Sequence, residues 1–338
     1  MINALALTTN FRNADNWLPL FERIHREGGR CEWLLLPWPG DPSVSRIAEL
    51  EQVLPTRLRQ DIAELSPSGI SEEELAALLD QVCTPEVDVL FLCDMQSYPS
   101  AAVLRLLSQR PRRPAVVGLQ HGLFQSWWLY NNNFCADHLF TFGERHIQEL
   151  DPSLRVRAQA AGLPKLDRLM HVPRSDAGYI AFIAQRFLPL QSLASCFEAL
   201  SAHTGLPVRI WDHPQYPAQS TSDAAEVGFG SDPYTQFLAN ASWVLSGYST
   251  GAVEALQLGK AVVLLPSYGL TAWSSYPAVA RDASLHEVMA AKYRLEAYPT
   301  ACAAFMRENF GGLRHNHTDS AWQALGRLRG VLLPLVAT

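Results

Sequence analysis

Apolar residues come in short unbroken runs along this chain, and nearly every run is followed by a stretch with helical spacing. "ALALTT" (Ala4–Thr9) reads as a strand. "NADNWLPLFERIHREGG" then carries apolar residues at helical intervals and stops at Gly28-Gly29. "CEWLLLPW" is a second strand, and a helical region follows from Val44 to Cys83, broken near Ser66-Pro67-Ser68-Gly69. Within it, Ser71 and Glu74 have the spacing of a capping box. "VDVLFLCD" (Val87–Asp94), "PAVVGLQHG", "HLFTFG" and "VRAQAAG" supply further strands, with "SAAVLRLLSQRP" as a helix after the first of them. Strands without polar alternation, followed by helices, predict a parallel sheet covered on both faces.

The pattern restarts after "HVPRSDAG" (His171–Gly178), which reads as a linker. "GYIAFIAQ", "PVRIWDHP", "WVLSGYST" and "AVVLLPS" are strands, with helices in "LQSLASCFEALSAHTG", "DPYTQFLANA" and "GAVEALQLGK". The expected fold class is therefore α/β. Two Rossmann-like, doubly wound domains, 1–172 and 173–338, are expected to face each other across a cleft. The pattern leaves open whether the last helical segment, Ala321–Val336, crosses back to the first domain.

Composition adds exclusions. The 338 residues are 48% hydrophobic and 18% charged, enough for two cored domains. A net charge of −6 gives no reason to expect a nucleic-acid partner. The six cysteines are scattered and show no CxxC spacing, which argues against a zinc or redox motif. Cys93 lies in an apolar run and reads as a core residue. A reducing, cytoplasmic compartment is expected. The N-terminal "MINALALTTNFRNADNW" lacks the basic region of a signal peptide. No segment reaches the ~20 apolar residues of a membrane helix. Any membrane contact is expected to be peripheral, at the inner face.

In doubly wound sheets, ligands bind beyond the carboxyl ends of the strands. Those ends carry Asp94, Gln120-His121-Gly122, Gly143-Glu144, Gln185-Arg186, Asp212-His213-Pro214 and Ser246-Gly247-Tyr248-Ser249-Thr250. Turn and cap chemistry accounts for such residues one at a time, but poorly for the whole set. In "SGYSTGAVEALQLGK", Ser249, Thr250 and Gly251 open a helix. Free N–H groups and the helix dipole make that end an anion site. Glu254, one turn in, either bonds a ribose hydroxyl or reaches back as a capping acid. His213, with Pro214 fixing its turn, either donates to a phosphate or is a surface turn residue. The Lys-Ser/Thr pair of a Walker A loop and the GxGxxG fingerprint are both absent, which disfavours P-loop and NAD chemistry.

His-Pro at one strand end, then Ser-x-Ser/Thr-Gly-x-x-Glu-Ala-x-x-x-Gly-Lys opening the next helix, resembles the donor half of GT-B glycosyltransferases. The similarity is closest to bacterial sialyl-, Kdo- and capsule-type transferases that use CMP-sugars, and to CDP-glycerol glycerophosphotransferases. "GLPKLDRLM" (Gly162–Met170) resembles their GxPxxDxL element, and the likeness runs from Val116 to Pro266. The resemblance implies that His213, Ser249 and Thr250 hold the donor phosphate. It places Ser246, Pro214, Gly251 and Glu254 around that site, with Gln185 and Arg186 lining the cleft and Arg186 neutralising charge. It implies a nucleotide-sugar donor, a polysaccharide or lipid-linked saccharide acceptor, and no resident cofactor or metal.

The first domain departs from the pattern. The CMP-sugar enzymes resembled here commonly carry Asp/Glu-Asp/Glu-Gly where this chain has Gln120-His121-Gly122. The CDP-glycerol enzymes have Trp-His-Gly, with histidine as base. His121 suits the role of general base, since a near-neutral imidazole can take a hydroxyl proton. Asp94 could orient His121, act as the base itself, or serve as a nucleophile. Glu144 is a further candidate acid. Gln120, Trp127, Trp128 and Tyr130 are candidates for acceptor binding, although such aromatics also pack on domain surfaces. "SYGLTAWSSYP" (Ser267–Pro277) is a second aromatic loop of the same kind. Two other functions remain compatible: a CDP-alditol phosphotransferase, and a non-catalytic nucleotide- or carbohydrate-binding protein.

Overall fold

The computed structural model describes residues 1–8, 14–36, 70–93, 98–120, 122, 136–184, 190–211, 233–246, 250–264, 280–281 and 298–336. Contacts divide the chain into two compact units. The first is Met1–Asp167 with Glu308–Gly311 and His315–Thr338, and the second is Arg168–Arg307 with Gly312–Arg314.

The first unit holds β1 (Asn3–Thr8), β2 (Arg30–Leu35), β3 (Val89–Leu92), β4 (Ala115–Leu119), β5 (His138–Thr141) and β6 (Ala158–Ala160). They form one sheet in the order β2-β1-β3-β4-β5-β6, with every pairing parallel. Its helices include α1 (Leu18–Arg26), α2 (Glu72–Val82), α3 (Tyr98–Ser108), α4 (Glu144–Gln148) and α5 (Pro152–Arg155). The unbroken apolar runs follow from burial on both faces. Leu90 and Leu92 join a cluster with Leu75, Leu79, Val103 and Leu107 from α2 and α3. Phe91 points the other way, with its ring 5.4 Å from Phe21 and 6.5 Å from Phe140. The capping box forms as spaced. Ser71 Oγ accepts from Glu74 N–H at 3.2 Å, and the Glu74 carboxylate accepts from Ser71 N–H at 2.7 Å.

Helix α6 (Lys165–Leu169) runs from the first unit into the second. The second unit holds β7 (Ile180–Ile183), β8 (Val208–Trp211), β9 (Trp243–Ser246), β10 (Ala261–Leu264) and β11 (Ala280–Arg281), parallel in the order β11-β10-β9-β7-β8. Helices α7 (Leu190–Thr204), α8 (Pro233–Asn240), α9 (Thr250–Gln257) and α10 (Tyr298–Phe310) belong largely to it, while α11 (His317–Val336) lies with the first unit. Strand order reverses between β1 and β3 in one sheet and between β7 and β9 in the other. These are the positions where open α/β sheets accept ligands. The helical region expected from Val44 to Ser68 lies outside the described residues.

Two fastenings explain motif residues by architecture. In "GLPKLDRLM", the Asp167 carboxylate accepts from His317 N–H at 2.9 Å and from Thr318 N–H at 2.6 Å, so it caps α11. Gly162 sits at φ 81°, and a Cβ there would come 2.8 Å from His317 Nδ1. His317 is fully buried, and its Nδ1 accepts from Leu163 N–H at 3.2 Å. Burial holds its pKa down at about 3, with the nearby His315 adding to the effect. In the second unit, Lys260 Nζ donates to Ser175 O at 2.7 Å, and Arg174 donates to Gln257 O at 3.2 Å. Ala177 N–H donates to Asn240 O at 2.8 Å, so the segment read as a linker is bound to this unit from Arg174 onward.

Candidate functional site

The first unit brings its candidate catalytic strands side by side. β4 lies between β3 and β5, with Leu92 paired to Gly118 and Leu119 paired to Phe140. Asp94 follows β3 by two residues, His121 follows β4 by two, and Glu144 follows β5 by three. Neighbouring strands are ~4.8 Å apart, so the carboxyl ends of β3, β4 and β5 lie side by side. Glu144 is exposed at the first position of α4, an acid placed where the helix dipole favours it. Asp94, His121, Trp127, Trp128 and Tyr130 themselves lie outside the described residues.

Gln120 corrects an expectation. It was a candidate acceptor ligand, but it is fully buried and its carboxamide is engaged inside the unit. Oε1 accepts from Phe142 N–H at 2.8 Å, and Nε2 donates to Gly122 O at 2.8 Å. Nε2 also lies 3.3 Å from His146 Nδ1. The backbone is held as well. Gln120 N–H donates to Phe140 O at 3.0 Å, and Gln120 O accepts from Trp17 Nε1 at 2.9 Å. A glutamine at a strand end reads as a ligand in sequence. Here the chain after β4 turns back on it.

His146 is the residue the sequence reading missed. It is 2% exposed, with ring centroids 6.0 Å from Phe142 and 5.8 Å from Phe310. Burial, with Arg145 adding to it, lowers its pKa to about 3, so the ring stays neutral. Nδ1 then accepts from Gln120, and the proton resides on Nε2. Close packing fixes this corner further, since a Cβ on Gly143 would come 1.9 Å from Asn309 O. Spacing in "TFGERH" could have flagged His146, which sits five residues beyond the end of β5.

In the second unit, the carboxyl ends again align. Ile183 pairs with both Trp211 and Ser246, and Ser246 pairs with Leu264. Ser246 is fully buried at the end of β9, and Thr250 is the half-buried first residue of α9. Every residue from Gly251 to Gln257 is buried, and Glu254 is 2% exposed. The folded chain thus seals the Glu254 carboxylate from solvent. Gln185, Arg186, His213, Pro214 and Ser249 lie outside the described residues. They follow β7, β8 and β9 by two to three residues, which limits each to ~10 Å of chain from its strand end. The β7/β9 reversal falls between the strands that lead to Arg186 and to Ser249.

Among the described residues, no group of three or more His, Cys, Asp or Glu side chains could hold a metal ion. Among them, too, no helix is long and apolar enough to cross a membrane.

No protein-family model matches the sequence, and no curated protein matches it. Solved structures do. The UDP-GlcNAc 2-epimerase from Neisseria meningitidis bound to UDP-GlcNAc superposes with a TM-score of 0.66 at 12% identity, covering 97% of this chain and 100% of the other. The glycotransferase of kitacinnamycin gives 0.60 at 15% identity, covering 97% and 98%. The wall teichoic acid polymerase TagF gives 0.55 at 10% identity, covering 99% and 89%. At these identities the likeness shows the fold, and the fold is GT-B: two parallel-sheet α/β domains.

Proposed function

We propose that the protein is a glycosyltransferase that moves a sugar from a nucleotide-activated donor to a saccharide acceptor. The observation that carries this reading is the reversal of strand order between β7 and β9. One of those strands leads to Gln185-Arg186, and the other to the Ser249–Gly251 opening of α9. A diphosphate or phosphate at such a point meets free N–H groups, a helix dipole and hydroxyl donors. Arg186 and His213 add charge and a further donor. In the first unit, His121 takes the proton of the acceptor hydroxyl. The acceptor oxygen then forms the new bond to the anomeric carbon. The bond from that carbon to the donor phosphate breaks, and the nucleotide leaves with the electron pair. Asp94, leaving the neighbouring strand, orients His121.

A CMP-sugar such as CMP-Kdo or CMP-sialic acid is the donor the sequence resemblance favours. The solved structures bring in UDP-sugars as well, through the epimerase bound to UDP-GlcNAc. Thermal shifts with CMP-, CDP-, UDP- and GDP-sugars, including CDP-glycerol, test the reading. Stabilisation by at least one sugar nucleotide is expected, and no shift with any of them refutes it.

A second reading is epimerisation at C2 of a UDP-sugar. A UDP-GlcNAc 2-epimerase among the structures of similar fold keeps it in view. Proton NMR of UDP-GlcNAc incubated with the protein separates the two. A growing signal from the 2-epimer without acceptor supports epimerisation, and an unchanged spectrum removes it.

A further inference from the structure

We propose that Trp211 reads the nucleobase of the donor, its indole N–H donating to the O2 carbonyl that cytosine and uracil share. The proposal rests on the reading of the protein as a user of nucleotide-activated sugars.

Trp211 is the last residue of β8. Its Cα stands beside that of Ile183 in β7, and Ile183 stands beside Ser246 in β9. Residues in register across parallel strands point to the same face, so these three form the last row of one face. The row spans the β7/β9 reversal, at the edge where such sheets take ligands. Two strand spacings, ~10 Å, separate Trp211 from Ser246. Four residues after Ser246, Thr250 opens α9. A nucleotide with its base at Trp211 and its phosphate towards α9 matches that separation.

Helix α8 covers the row at Trp211. The indole lies 5.3 Å from the Tyr234 ring in the first turn of α8 and 5.3 Å from the Phe237 ring in the second. Deeper on the same face the polar groups are engaged within the unit. The Arg209 guanidinium sits 4.6 Å over the Tyr179 ring, and the Tyr179 hydroxyl donates to Phe237 O at 2.5 Å. Trp211 differs from them. It is 1% exposed, and its Nε1–H has no hydrogen-bond partner among the described residues. A buried donor left so costs free energy, and folded proteins keep few of them. Trp33 carries another such N–H, but it lies inside β2, edge-on to Phe21 at 88°, and away from the strand's carboxyl end. Position, together with the unmatched donor, singles out Trp211.

An indole N–H donates and never accepts. Against a nucleobase it calls for a carbonyl and opposes an amino group. Cytosine and uracil both carry O2 beside the ring nitrogen that joins ribose. Adenine has no carbonyl, and the guanine carbonyl lies on the ring remote from ribose. One donor aimed at O2 therefore selects pyrimidines and is blind to the difference between cytosine and uracil.

Calorimetric titration of the full chain with UMP, CMP, AMP, GMP, 2-thio-UMP and 4-thio-UMP tests this. UMP and CMP are expected to bind within about threefold of each other, and AMP, GMP and 2-thio-UMP about fivefold or more weakly than UMP. Sulfur at position 4 is expected to change the affinity by less than about twofold, because O4 does not meet the indole. Trp211→Phe is expected to lose about fivefold for UMP and to bind UMP and 2-thio-UMP alike. Should that variant not fold, benzothienylalanine at position 211 keeps the shape of the ring and replaces N–H by sulfur. Equal affinity of the parent for UMP and 2-thio-UMP overturns the contact, and so does a folded variant that still separates the two. Sugar nucleotides that bind while every monophosphate is silent overturn base reading as well. Silence of both the monophosphates and the sugar nucleotides overturns the donor reading itself.

Discussion

Mild acid is expected to destabilise the first unit, because two of its buried histidines are held neutral. His146 and His317 both have pKa values lowered by burial from 6.5 to about 3. The folded unit therefore binds fewer protons than the unfolded chain once the pH falls below the unfolded value. Stability is fully present above about pH 7 and is lost as the pH falls through 6.5 towards 3. At pH 5, each histidine costs about 2 kcal/mol relative to pH 8, so the pair costs about 4 kcal/mol, a large part of a domain's net stability. His138 shifts in the same direction through burial, partly opposed by Asp137, and steepens the dependence. Ordinary carboxylates contribute little in this window, since they titrate near pH 4.

Urea unfolding at about pH 8, 6 and 5 reads the effect, with tryptophan fluorescence reporting on Trp17 and Trp33 in the core. His317→Asn keeps an acceptor for the Leu163 N–H and removes one titrating group. His146→Asn does the same for the Gln120 amide. Each variant is expected to lose about half of the slope that the two sites generate, and the double variant nearly all of it. A parent protein equally stable at pH 8 and 5, or variants with the full slope, refutes the reasoning.

Gly143→Ala drives a Cβ to 1.9 Å from Asn309 O, so the chain must shift, and a loss of about 1–3 kcal/mol or more is expected in the same urea assay. Asp167→Ala removes the cap of α11 and is expected to cost about 1–2 kcal/mol, with earlier tryptic cleavage in His317–Val336. Lys260→Met loses the bond to Ser175 O and is expected to cost about 1–3 kcal/mol while leaving nucleotide affinity by calorimetry unchanged, whereas Thr250→Ala is expected to weaken that affinity.

Hydrophobic pattern alone located the strands β1 to β10, with starts within two residues and ends that several quoted runs overshoot by three or four. Runs such as Val89–Leu92 are buried on both faces, and no other element of that length demands it. Some helices went unread, α5 and α10 among them. α5 has four residues and no buried side chain, so it leaves no apolar stripe in the sequence. α10 follows a stretch without a clear period, and its contacts are to distant segments. The order of strands is likewise invisible to pattern, because it depends on which runs pair. The polar residues at strand ends were legible as a set, but not their division of labour. Gln120 read as a ligand and Glu254 as either a ligand or a capping acid, and only packing shows that both side chains are buried.

That division follows from lengths. α9 has eight residues and is about 12 Å long, so its two ends cannot serve one phosphate. Lys260 lies three residues beyond the last turn, at the far end from Thr250. Its ammonium, with a pKa lowered chiefly by burial, donates to the main chain at Ser175. The Gly-Lys that closes the Ser-x-Ser/Thr-Gly…Gly-Lys stretch is therefore architectural, while Thr250 opens α9 at its other end. "GLPKLDRLM" divides in the same way, with Asp167 spent on capping α11 and Gly162 on admitting His317. Much of what makes the chain resemble nucleotide-sugar enzymes thus maintains two units in shape. On the proposed reading, the chemistry falls to the few residues that follow β3, β4, β7, β8 and β9.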